Sequence, residues 1–286
     1  TYRALRDPGT PVRMIWHKWG HSGQDPAPGE FDPSGERPPE TTYLGRRVLD
    51  WYAYWLRDDR SRSLGPAVTY FRDWIPYDGS SSEGAEPAYA AADSLPIGEY
   101  REMYLSGNGS LTADRSKVVE GKRSWVNLPG GVPSSYSEIP PGTDEIPPSD
   151  TPGTFAAWTS EPLETAIDTV GMPTLDVRFD APTAKLTQRT LGVAGRLVVF
   201  AKLYDVASDG SVTLVHRLVS PVRVPDVEDD IRLELPGIVH RWQSGHRIRI
   251  VLAASDAAYA GNVSVHPVTV RTKGDQVPVL RLPVVQ

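Results

Sequence analysis

From about Gly65 onward the chain is written in short runs that alternate apolar and polar residues, and that alternation most constrains the fold. Arg247-Ile248-Arg249-Ile250-Val251-Leu252 is the plainest instance. Side chains leave a strand on opposite faces every second residue, so such a run belongs to an antiparallel sheet with one face on a core. Strands are expected at Ala67–Phe71, Tyr100–Leu105, Ser124–Leu128, Thr154–Thr159, Thr174–Phe179 and Arg196–Val206. Others are expected at Val212–Val224, Ile231–Leu235, His246–Ala253, Val268–Thr272 and Val277–Pro283. The stretch YDVASDGSVTLVHR reads as a hairpin turning at Ser208-Asp209-Gly210. With 27 prolines and 25 glycines scattered as loop punctuation, the expected class is mostly β, a C-terminal antiparallel sandwich or jelly roll. Residues 138–153, EIPPGTDEIPPSDTPG, form a Pro-rich excursion too polar for a core.

The first 60 residues follow a different period. TYRALRD, residues 1–7, reads as a helix end closed by Pro8-Gly9, and Val12–Trp16 as a short buried strand. Residues 21–42 are rich in Pro, Gly, Asp and Ser and make a loop. Leu44, Val48, Trp51, Tyr52, Trp55 and Leu56 then fall at helical spacing behind Thr42, a suitable N-cap, predicting a helix over 42–57. Helix, strand, loop, helix is an α/β pattern with most of its sheet missing. The expected division is therefore 1–62, an α/β piece, and 63–286, the β domain. The aromatic side of the helix at Trp51, Tyr52 and Trp55 reads as core against that missing sheet.

Charge and composition remove several functions. Lys and Arg number 30 against 36 Asp and Glu, a net charge of −6, and no basic run interleaves with aromatics. Nucleic-acid binding is not expected. No window of 18 apolar residues occurs, so no membrane-spanning helix is expected. The absence of cysteine removes disulfides, thiolate metal sites and thiol nucleophiles. The chain opens Thr-Tyr-Arg and reads as a piece of a longer protein. Its cysteine-free, proline-rich composition is compatible with secretion and leaves the compartment open.

The chemistry gathers at RMIWHKWGHSGQ, Arg13 to Gln24. Gly20-His21-Ser22-Gly23 is one glycine short of the G-x-S-x-G elbow of α/β-hydrolases, because Gln24 stands in the fifth position. That elbow requires a helix directly after the turn, and Pro26, Pro28 and Pro33 forbid one. Ser22 is not expected to be a nucleophile. His21 fits another place in the same fold, the loop after the last core strand and before the final helix. There an imidazole serves as base toward the nucleophile and acid toward the leaving group. His17 at the strand end is the nearest competitor, and a loop histidine without a role is the bland alternative.

The segment GTPVRMIWHKWGHSG resembles the catalytic-histidine region of the cocaine esterase and Xaa-Pro dipeptidyl-peptidase family of serine hydrolases, with Trp19-Gly20-His21 as its Trp-x-His element. RRVLDWYAYWLRDD is similar to the helix that ends the hydrolase core, followed by VTYFRDW and REMYLSGNGSL. AWTSEPLETAIDTVGMPTLDVRF, LVVFAKLYDVASDGSVTLV and HRWQSGHRIRIVLAASD resemble that family's C-terminal jelly roll, which implies a galactose-binding-like sandwich, with Gly245-His246-Arg247 the most recognisable motif. The resemblance implies that residues 1–62 end an α/β-hydrolase catalytic domain and that His21 is the triad histidine. It implies that the serine, the acid and the first oxyanion donor lie upstream; Asp7, at a helix end, is not nominated. The implied partners are that upstream segment and an ester or Xaa-Pro peptide substrate, with no cofactor or metal, and a homodimer is compatible with it. The isolated chain would lack the nucleophile. The other class of function is a non-catalytic β-sandwich that binds carbohydrate or protein.

Remaining features have structural readings. His246, at a strand start, is expected to bond a loop, and Asp256 suits an Asx turn. Asp205 and Asp209 with nearby carbonyls would suit calcium, but DVASDG reads first as a hairpin turn. The acidic run Asp226–Asp230 reads as a solvated loop, and the sequon at Asn262 carries no weight.

Overall fold

The computed structural model describes residues 2–17, 32, 35–128, 149–257 and 259–285. His21, Ser22 and residues 138–148 of the Pro-rich excursion lie outside the described residues. Two compact units divide the chain, Thr1–Ile97 and Gly98–Gln286.

The first unit holds α1 (Tyr2–Arg6), β1 (Met14–Trp16), α2 (Tyr43–Leu56), β2 (Val68–Phe71), the single turn α3 (Ser82–Ala85) and β3 (Tyr89–Ala92). Its sheet runs β1-β2-β3. β1 pairs in parallel with β2, Met14 opposite Val68 and Trp16 opposite Tyr70, while β2 and β3 are antiparallel. The run Ala67–Phe71, expected to open the β domain, pairs within the first unit, whose last residue is Ile97. α2 starts where its cap predicts: Thr42 Oγ1 accepts the Gly45 N–H at 3.2 Å. Gly45 is required there, since a Cβ would stand 2.3 Å from the Pro39 carbonyl oxygen. A small core forms from Tyr43, Phe71, Ala85, Ala88 and Tyr89 with Ile15 and Tyr77 against it, the rings of Tyr43 and Tyr89 stacked at 3.7 Å.

The second unit begins with β4 (Glu99–Leu105), β5 (Ser110–Thr112), β6 (Gly121–Asn127), β7 (Phe155–Ser160), β8 (Ile167–Gly171) and β9 (Thr174–Asp180). Helix α4 (Pro182–Leu191) leads to β10 (Val198–Val206) and β11 (Val212–Arg223). β12 (Asp230–Glu234), β13 (Ile238–Trp242), β14 (Arg247–Ala253), β15 (His266–Thr272) and β16 (Val279–Val285) complete it. The main path is β11-β10-β14-β7-β5-β4-β16-β9-β15-β6, with β12 on β9 and β8 joining β13 to β16. All pairings are antiparallel except β5 with β7. This is a mostly β, sandwich-like architecture.

Alternation does what the sequence asks of it. In β7 and β9 every second residue is buried, and the inward set meets Trp158, Trp242, Leu175, Leu233, Ile248, Ile250 and Leu252 in the main core. β10 departs from this: all nine of its residues are buried. Val199, Ala201 and Leu203 face the main core, whereas Val198, Phe200 and Tyr204 join Leu214, Val219, Val251 and Ala253 on the opposite face. Among the described residues no helix is long and apolar enough to cross a membrane.

α4 was not expected: its apolar residues are few and only Ala184 of its ten residues is buried. Its signals are end signals: Pro182 in its first turn and Gly192 just after, at φ 60°. β3, β5, β8 and β13 are also additional, each five residues or fewer.

Candidate functional site

β1 and β2 run the same way, so in a parallel sheet their C-terminal ends share the edge where loops carry chemistry. Trp16 ends β1 and half-buried His17 follows, while His21 lies outside the described residues. From Gly35 the chain runs to the cap of α2. Thr41 and Thr42 hydroxyls bond the carbonyls of Pro38 and Pro39 at 2.7 and 2.9 Å. α2 itself buries only Tyr43 and Gly45. Val48, Leu49, Tyr52, Trp55 and Leu56 are exposed, Leu56 to 75%. The face expected to be core is therefore an open apolar surface, flanked by Arg60, whose guanidinium lies 4.3 Å from the Tyr54 ring centre and 5.5 Å from that of Trp55.

In the second unit the Gly245-His246-Arg247 motif is a fastening. Gly245 takes φ 82°, which lets its N–H reach the Leu163 carbonyl while the His246 carbonyl accepts the Leu163 N–H, both at 2.8 Å. Arg247 donates to the Ser160 carbonyl at 2.9 Å, and Ser160 Oγ accepts the Ile248 N–H at 2.9 Å. His246 Nδ1 and His240 Nε2 engage the two oxygens of Asp205 at 2.8 and 3.0 Å. Burial works to raise the Asp205 carboxyl, but the two imidazoles outweigh it and hold it below the usual range. The ring of His216 stands edge-on to His240, 5.9 Å between centres. Among the described residues no serine or threonine hydroxyl bonds His240 or His246, so this pair ties β10 to β13 and β14 without a nucleophile.

The calcium alternative is not assembled. Asp205 is occupied by the histidines, and Asp209 accepts the Ser211 N–H at 2.8 Å within the hairpin turn. Among the described residues no three His, Asp or Glu side chains converge as metal ligands. Asp256 is fully buried, and its main-chain carbonyl accepts the Tyr259 N–H at 3.2 Å. Asn262 is buried too, and its amide clasps both main-chain groups of Val198, at 2.8 and 2.9 Å. The acidic run is a solvated loop in which Asp226 accepts the Glu228 N–H at 2.9 Å.

One cluster had only a faint signal, the lysine in VVFAKLYDV. Lys202 is wholly buried and donates to Asp150 Oδ1 at 2.7 Å, while the Tyr204 hydroxyl donates to Asp150 Oδ2 at 2.9 Å. Burial and then the Asp150 carboxylate push the Tyr204 phenol well above its usual value. A groove of about 830 Å³ lies along β9 and β12. Two of its arginines are paired, Arg232 with Asp176 and Arg271 with Asp180, each at 2.6 Å. Its aromatic lining residue, Phe179, is buried at 2% exposure and offers no stacking platform for a sugar.

Residues 93–269 match the profile of the X-Pro dipeptidyl-peptidase C-terminal non-catalytic domain. Among solved structures, an aminopeptidase from a marine sediment Thaumarchaeota archaeon superposes with a TM-score of 0.67 at 17% identity, over 99% of this chain and 51% of that one. An α-amino acid ester hydrolase gives 0.65 at 14% identity, over 99% and 52%. A CocE/NonD family hydrolase from Staphylococcus aureus gives 0.53 at 12% identity, over 84% and 45%. At these identities the likeness is one of fold, and the chain spans about half the length of those proteins. Comparison with curated proteins returned no match.

Proposed function

Because the chain belongs to the family of X-Pro dipeptidyl-peptidase C-terminal non-catalytic domains, we propose that it is the C-terminal portion of a serine hydrolase of acyl esterase or Xaa-Pro dipeptidyl-peptidase type. The matched region covers the β domain, which takes no chemical step. The segment before it contributes His21, the triad histidine, to a serine and an acid on an upstream segment.

One observation carries this reading: the unfinished α/β layer of the first unit. A parallel strand pair whose C-terminal end leads into the histidine segment is followed by a capped helix with its apolar face open. Exposing that many large apolar side chains suits a surface meant for burial in a larger assembly. The upstream α/β sheet is the occupant proposed for the Val48–Leu56 face. In that setting His21 takes the serine proton as the acyl carbon is attacked, then returns a proton to the departing alcohol or amine.

Co-expression of residues 1–286 with the upstream segment tests the proposal. The two together are expected to hydrolyse a p-nitrophenyl acyl ester or an Xaa-Pro anilide, and each alone is expected to be inactive. Full turnover by the upstream segment alone would contradict the proposal.

A further inference from the structure

Within the second unit, β10 turns Val198, Phe200, Lys202 and Tyr204 to one face. Lys202 is wholly buried there, and its neighbours across the sheet are Val219 on β11 and Val251 on β14. A charge among valines is costly unless it is paired. Its carboxylate comes from outside the sheet, from the end of the Pro-rich excursion. Ser149 and residues 151–153 are exposed, yet the Asp150 side chain between them is only 7% exposed. Lys202 Nζ donates to Asp150 Oδ1 at 2.7 Å, and the Tyr204 hydroxyl donates to Oδ2 at 2.9 Å. Burial and then the Asp150 charge push the Tyr204 phenol up, so that donor keeps its proton.

The strap that carries Asp150 is stiff. Thr151-Pro152-Gly153-Thr154 is a turn with proline second, glycine third at φ 84°, and the Thr154 N–H on the Thr151 carbonyl at 3.1 Å. Thr154 Oγ1 donates to the same carbonyl at 2.7 Å. Two strands hold the turn. The Val126 N–H of β6 donates to the Gly153 carbonyl, and the Ala254 N–H, just past β14, donates to the Thr154 carbonyl, both at 2.9 Å. Those bonds fix one end of the strap, and the Asp150 carboxylate fixes the other.

Apolar contacts alone tolerate many placements of a strap, whereas a carboxylate with a donor on each oxygen tolerates few. Replacing a buried ion pair by apolar side chains of similar volume is often neutral or stabilising. We propose that Asp150 is a latch: with Lys202 and Tyr204 it specifies where residues 149–154 lie on β10, and it contributes position rather than net stability.

The test uses the 1–286 chain. Amide hydrogen exchange is read at Val126 and Thr154, whose N–H groups report the turn, against Ile250 in the centre of β14. Lys202→Met with Asp150→Leu removes both charges at similar volume. This double variant should melt at or above the wild-type temperature with Ile250 exchange unchanged. Exchange at Val126 and Thr154 should rise by about 10-fold or more. Lys202→Met alone should melt below wild type, because the buried Asp150 carboxylate loses the cation it faces. Wild-type exchange at Val126 and Thr154 in the double variant would overturn the proposal, since the turn alone would then place the strap. A double variant melting as far below wild type as Lys202→Met would overturn it too, since the pair would then act through stability. If the double variant fails to fold, Asp150→Asn decides. Faster exchange at the two turn amides than at Ile250 sustains the latch, and wild-type exchange there overturns it.

Discussion

The helix α2 and the strand β10 are both rich in large apolar side chains, and the chain treats them oppositely. β10 is covered on both faces, so a lysine and an aspartate within it need partners: Lys202 has Asp150, and Asp205 has His240 and His246. α2 buries two residues and leaves Val48, Leu49, Tyr52, Trp55 and Leu56 in the open. Local signals are equally good in the two elements, a cap in one and a hairpin turn in the other. What differs is the completeness of the layer against which each must pack, and that is a tertiary property. The β domain supplies its own second layer, and the α/β unit does not supply a full sheet.

The largest expected stability effect sits at the centre of the complete layer. Trp242 is fully buried, with its indole N–H donating to Thr169 Oγ1 at 2.9 Å. Trp242→Ala should cost about 3–5 kcal/mol in a denaturant titration of the chain. Leu56→Ser on the open face should change stability by less than about 0.5 kcal/mol in the same experiment. A loss at Leu56 comparable to that at Trp242 would break the contrast. In the full-length protein the Leu56 change should become destabilising, which sharpens it.

A smaller effect is expected at Asp205, about 1–3 kcal/mol for Asp205→Asn at neutral pH, since a buried charge-assisted pair of bonds is lost. The folded-state carboxyl is held below its ordinary value of 3.8. Its contribution is therefore present above the unfolded carboxylate value and lost as pH falls through the folded one. Chemical denaturation curves of Asp205→Asn and wild type should converge below about pH 3.

His266 should give the smallest effect, with the opposite cause. It is 1% exposed, and burial alone lowers it from the usual 6.5. Its ring bonds Thr183 Oγ1 at 3.2 Å, tying α4 to β15. As pH falls below about 6.5 the unfolded chain takes up a proton that the folded imidazole refuses, so stability declines. His266→Gln should flatten that slope between about pH 6.5 and 5, and an unchanged slope would show that another group carries it.

The legible parts of the chain were those written locally. Thr42 marks the start of α2, the alternation in Arg247–Leu252 marks β14, and Ser208-Asp209-Gly210 marks the β10–β11 turn. α4 escaped notice because its apolar residues are few and it rests on one buried alanine. The pairing of β2 with β1 was not legible because a parallel pair separated by an entire loop and helix leaves no short-range signature. The site was legible in kind rather than in detail. His246 took its expected structural place, whereas Asp205, expected in a turn or at calcium, anchors two histidines that sit far along the chain.

The central claim is that the unfinished α/β unit lends an enzyme its general base. The most direct measurement is turnover of a p-nitrophenyl acyl ester by the full-length hydrolase carrying His21→Ala, with circular dichroism and melting temperature as controls on the fold. The account predicts a loss of about 10⁴-fold or more in kcat at unchanged stability, the scale expected when a triad member is removed. Turnover at the wild-type rate by a folded His21→Ala protein would contradict it.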